Sequence, residues 1–233
     1  MKLSSLALFI FFCHFSTTAF AASATTALAE AQDEKVEQNI LTAFKVAPVA
    51  KTDVEKLKKM VLTHENKAVS ALIKVMKDGS YPEQSRWLAT FLLGRTMGDK
   101  SAPFIAKFVA HPHWMMRLAA LKTLLLLKQK NYARHYAQAL HDQSLLVRYQ
   151  ALENVDKLKM KELGPQVWKM LYNKDNYSGK DGKLKRASIM KNVIRTLGDI
   201  EFKEAEKPMQ VMLKNKNYSD LHEDIRYSLA RLK

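Results

Sequence analysis

Cysteine is nearly absent: Cys13 is the only one, and it sits in an apolar stretch near the N-terminus. One thiol excludes an internal disulfide framework and a thiolate metal cluster. Glycine and proline are also scarce, 7 and 6 in 233 residues, and no segment alternates polar with apolar over a convincing length. A β-sheet core is therefore excluded. Beyond the N-terminal stretch, no apolar run reaches the roughly 18 residues that a transmembrane helix needs. Enzymatic signatures are missing too. The chain carries no GxxxxGK[ST], GxSxG or HExxH, and no Gly-rich strand-to-helix turn. These absences predict a non-enzymatic protein without a cofactor or a dedicated metal site.

Positive charge is plentiful. With 38 Lys and Arg against 23 Asp and Glu, the net charge is +15, which favours acidic partners or simply keeps a lysine-coated surface solvated. The N-terminus reads Met1-Lys2, then LSSLALFIFF, then STTAFAASA. A basic start, a short apolar centre and a small-x-small site form the pattern of a secretory signal peptide, residues 1–21, ending at Ala19-Phe20-Ala21. Ala22-Ser23-Ala24 is the second choice of cleavage site, and retention as an uncleaved anchor is the other reading. Phe12 stands where a lipidation signal at Cys13 needs a small residue. The expected destination is the periplasm or the exterior. Residues 22–50 are expected to be mobile or partly helical, with the folded body spanning 51–233.

Past residue 50, apolar residues recur at three- and four-residue spacing, the mark of amphipathic helices. Arg86, Arg117 and Arg148 lie 31 residues apart and open the similar stretches SRWLATFLL, MRLAALKTL and VRYQALENV. In each, a small alanine follows after three residues (Ala89, Ala120, Ala151) and an apolar residue after seven (Leu93, Leu124, Val155). Ala102 and Ala133 each stand fifteen residues ahead of an arginine, so APFIAKFVAHPHWMMR aligns with ARHYAQALHDQSLLVR. Two looser units follow, around Arg186 and Arg226, with Ile189 and Leu229 at the alanine place. A lone helix pair cannot bury its apolar stripe, whereas stacked neighbours share one continuous core. The predicted fold is all-α, an α-solenoid of about five helix pairs with an N-terminal helical cap that includes residues 53–62.

DQSLLVRYQALENV and HPHWMMRLAALKTL resemble the HEAT repeat family and the HEAT-like repeats of phycobilin lyases, over about residues 66–232. The resemblance implies helix pairs with a structural arginine near the start of each second helix, bonded to turn residues and carbonyls of the adjacent repeat. It implies nothing about activity. The expected structural ladder is Arg86, Arg117, Arg148, Arg186 and Arg226. The competing reading is a row of cations facing an anionic ligand.

Histidine raises a metal question at HPHWMMR, where His111 and His113 flank Pro112. Alignment with DQSLLVR places this motif at a turn between helices, with Trp114 and Met115 or Met116 entering the second helix toward the core. LHEDIRYSLARL resembles the His-Glu helix starts of deoxyhypusine hydroxylase, a HEAT-like iron enzyme that needs four such pairs. This chain has two, His64-Glu65 and His222-Glu223, at opposite ends, so metal-dependent catalysis is not favoured.

The longest irregularity is NKDNYSGKDGKLKR, residues 173–186, within a stretch (157–191) holding ten Lys or Arg against three acids. Insertions in repeat arrays map to loops on one edge, often the binding edge. NKNYSDLHEDIR at 215–226 repeats the Asn-Tyr-Ser element, so both loops are expected side by side. The candidate partner-binding residues are Trp168, Tyr172, Lys174, Tyr177, Lys180, Lys183, Lys185, Tyr218 and His222. Basic residues among aromatics can hold a polyanion, or the lysines can be solvated and the aromatics belong to the core. Asn176 and Asn217 also fit the N-glycosylation pattern. Repeat architecture without catalytic motifs favours a protein partner, with an anionic polymer or membrane surface as the alternative, and export makes nucleic acid less natural than either.

Overall fold

The computed structural model describes residues 15–178, 185–186 and 189–233, with the side chains of 29–177 and 189–233. Most of the expected signal peptide, Lys180 and Lys183 lie outside the described residues. The fold is all-α. The first helix, α1 (Phe15–Phe44), runs through the expected cleavage region and most of the 22–50 segment. Ile40 and Phe44 near its end are fully buried, so the packed body includes part of that segment.

Among the described residues, five helix pairs follow α2 (Lys51–His64): α3 (Val69–Lys77) with α4 (Glu83–Met97), α5 (Ala102–Ala106) with α6 (Trp114–Leu126), and α7 (Ala133–Ala139) with α8 (Leu145–Lys157). The fourth is α9 (Gly164–Lys169) with α10 (Ile189–Asp199), and the fifth α11 (Glu206–Lys214) with α12 (His222–Leu232). Pro103 and Pro165 stand in the first turns of α5 and α9, where a missing N–H breaks no helical bond. The second helices pack in series: α4 on α6, α6 on α8, α8 on α10, α10 on α12. Apolar side chains from α1 to α12 form one continuous core, as expected of an α-solenoid.

Three second helices end in the same turn. In α6, the Leu127 N–H donates to the Thr123 carbonyl, Lys128 takes a left-handed conformation (φ 52°), and the Gln129 N–H reaches back to Leu124. Leu158, Lys159 (φ 52°) and Met160 repeat this after α8, and Ile200, Glu201 (φ 56°) and Phe202 after α10. Such a turn satisfies carbonyls that the helix end leaves open, and it also marks register. Eleven residues before Lys128 and Lys159 stand Arg117 and Arg148; eleven before Glu201 stands Met190.

Met190, only 1% exposed, therefore holds the ladder position of the fourth unit. This corrects the expectation for Arg186, which lies in a two-residue strand, β2 (Lys185–Arg186), with its backbone paired to Tyr177 of β1 (Tyr177–Ser178). Arg226 is corrected as well. It is exposed, while its neighbour Ile225 is buried. The small residue of that crossing is Ser228, whose hydroxyl donates to the Ile194 carbonyl at 2.7 Å, and not Leu229. A Cβ on Gly198 would come within 2.6 Å of the Ser228 Cα, so this crossing of α10 and α12 requires glycine on one side. Among the described side chains, the ladder has three arginines, Arg86, Arg117 and Arg148.

Candidate functional site

Each ladder arginine binds the turn of the next unit. Arg86 donates through Nε and Nη2 to the Met76 carbonyl (3.2 and 3.0 Å), and its Nη2 lies 3.2 Å from His111 Nε2. Arg117 holds Asp142 with a bidentate pair, 2.6 and 2.7 Å, and donates to the carbonyls of His111 and Pro112. Arg148 donates to the carbonyls of Asp142, Gln143 and Asp175 and to Asn176 Oδ1 (2.9 Å). A guanidinium offers five N–H donors in a fixed fork, and here they clamp adjacent turns. The hydrogen bonds of these three arginines go to protein groups of their own and adjacent turns.

HPHWMMR is the first of these turns. His111 Nδ1 accepts the His113 backbone N–H at 3.0 Å, and its ring stacks on Phe108. Burial, and then the Arg86 cation, lower its pKa and keep the imidazole neutral. His113 Nε2 lies 2.7 Å from the Glu83 carboxylate. Met116 enters the core, but Trp114 is partly exposed and lies against the His113 ring, contrary to its expected inward direction. No cluster of three His, Cys, Asp or Glu residues suited to a metal forms among the described residues.

The expected basic edge divides. Tyr172 is 70% exposed and Lys174 is exposed, while Trp168 is half-buried with its ring edge-on to Tyr172. Tyr177 is half-buried and donates to the Leu171 carbonyl. Only the backbone of Lys185 is described. Tyr218 packs against the core, and His222 Nε2 lies 3.3 Å from the Asn215 carbonyl. The repeated Asn-Lys element makes the same local turn twice: Asn173 accepts the Asp175 N–H and Asn215 accepts the Asn217 N–H. Residues Met170–Tyr172, just before the first turn, and Lys216–Leu221 of the second pack against α10.

Sequence reasoning missed the structural role of Asn176. It is fully buried, receives Arg148 Nε and donates its amide to the Met170 carbonyl at 3.0 Å. That placement corrects the glycosylation reading at Asn176, whose amide is enclosed and engaged. The available signal was Arg148 itself, which needed an acceptor in the next turn.

An open groove of about 520 Å³ runs across α6, α8, α10 and α12, and none of its residues was among the expected site residues. Leu118 and Lys122 come from α6, and Leu146, Tyr149, Glu153 and Asp156 from α8. Asn192, Arg195 and Asp199 come from α10, and Tyr227 from α12. The groove positions fall one and five residues after the ladder arginine, as in Leu118/Lys122 and Tyr149/Glu153. The same places in α4 hold Trp87 and Phe91, stacked at 6.3 Å. At the far end, Arg195 pairs with Asp224 and lies 4.9 Å from the Tyr227 ring, while Asp199 accepts the Tyr227 hydroxyl and pairs with Arg231. No helix among the described residues is long and apolar enough to cross a membrane. No family model matches the sequence, and no curated protein matches it either.

Proposed function

We propose that this protein is an exported, non-enzymatic scaffold of HEAT type that binds a protein partner in the groove formed by its second helices. The groove carries the proposal. It has the volume of a ligand cleft, it joins four consecutive second helices, and it mixes apolar, aromatic and charged side chains, as protein interfaces do. Export rests on the N-terminal basic-apolar-small pattern. Polyanion binding draws on the +15 charge, but the three ladder arginines contribute nothing to it, because they are bound within the fold. Leu146 is 53% exposed in the groove, so Leu146→Glu alters the surface without disturbing the core. Affinity capture from the matching cell compartment, followed by mass spectrometry, tests the reading. Wild type is expected to retain a protein partner that Leu146→Glu loses, and retention of the same set by both would contradict it.

A further inference from the structure

The groove differs from the rest of the molecule in the sign of its charge. In a chain with 38 basic and 23 acidic residues, the groove is lined by three carboxylates, Glu153, Asp156 and Asp199, and two cations, Lys122 and Arg195. Most of these groups have partners. Asp156 pairs with Lys159 at 3.0 Å, and Asp199 and Arg195 belong to the α10–α12 contacts already described. Glu153 is different. Among the described residues its carboxylate accepts only from the neutral amide of Gln150, at 3.0 Å, and forms no ion pair.

Glu153 also has an apolar neighbour surface. Along α8 the groove face reads Leu146, Tyr149, Glu153, with Leu118 of α6 beside it. Seven residues of helix separate Leu146 from Glu153, about 10 Å at ~1.5 Å per residue. Lys122 stands on the neighbouring helix, so a cation is drawn to the α8 side.

We infer that the groove docks a segment of a partner protein in which an apolar side chain is followed, about 10 Å further on, by a lysine or arginine. The apolar side chain rests on Leu118, Leu146 and Tyr149, and the cation pairs with Glu153. Three residues of extended chain, or two helical turns, span that distance. This inference rests on the groove being the docking surface. It adds the chemistry of what docks there, since complementary charge selects the partner and fixes its direction.

Selection of a random displayed peptide library on the immobilised full chain tests the assignment. Wild type is expected to enrich peptides with an apolar residue followed by Lys or Arg. In fluorescence anisotropy such a peptide is expected to bind about tenfold more weakly to Glu153→Gln and more weakly still to Glu153→Lys, with circular dichroism and melting unchanged. Selection on Glu153→Lys is expected to lose the basic preference. Enrichment of acidic peptides, no enrichment, or equal affinity for all three proteins would overturn the inference. If binding shows no charge preference yet disappears in Leu146→Glu, the groove remains the docking surface and only its proposed selectivity falls. Binding that survives Leu146→Glu removes both. A dimer in sedimentation that Leu146→Glu dissolves places a second copy in the groove and also overturns the assignment.

Discussion

Arg148 is 2% exposed and bears a full charge, yet its bonds go to three backbone carbonyls and one amide oxygen instead of a carboxylate. A buried cation is tolerated when its donors are all met, and the groups it satisfies become costly once it is removed. Arg148→Met is therefore expected to lower stability by about 3 kcal/mol in urea unfolding, and Asn176→Ala by about 2 kcal/mol. His111 and His141 report on pH. Burial lowers the pKa of both, assisted by Arg86 at His111 and by Lys169 at His141. A histidine whose folded pKa lies below the unfolded value of 6.5 adds stability above that pH, and this stability is lost as pH falls through the folded pKa. The melting temperature is expected to decline on acidification below pH ~6.5, and less steeply in His111→Asn. An identical decline in that variant would remove His111 from the account.

Helix ends and crossings carry the next level of control. Lys128 pays the steric cost of a left-handed backbone at the end of α6, and glycine avoids it. Lys128→Gly is thus expected to stabilise the protein by about 1 kcal/mol. Gly198→Ala sets two effects against each other. Alanine favours helix by about 1 kcal/mol, but its Cβ would meet the Ser228 backbone at 2.6 Å. Packing is expected to win, with a net loss of about 2 kcal/mol in the same unfolding measurement. The first three second helices were legible in the sequence because arginine, alanine and the apolar residue recur there without insertion. At α10 the count went to Arg186, four residues ahead of Met190. A four-residue slip is close to one helical turn, so the apolar face looks the same in either register. Arg226 is a one-residue slip, which turns the face by about 100°; the buried series Ile225, Ser228 and Leu232 reveals it.

Across the whole molecule, the series of second helices assembles a surface that no local motif announces. Leu118, Glu153, Arg195 and Tyr227 come from four helices distant in sequence, and only the stacking brings them to one groove. The basic edge at 173–186 attracted attention because its lysines and aromatics are contiguous in sequence. In the fold, Tyr177 and Asn176 serve the turn, while Lys174, Asp175 and the preceding Tyr172 are exposed. The groove and the edge are two candidate surfaces for the proposed partner, and position-specific crosslinking in cells separates them. A photoreactive residue placed at Leu146 is expected to yield adducts with a partner protein, while one at Tyr172 yields none or far fewer. Adducts formed from Tyr172 and absent from Leu146 would contradict the central claim that the groove is the working surface.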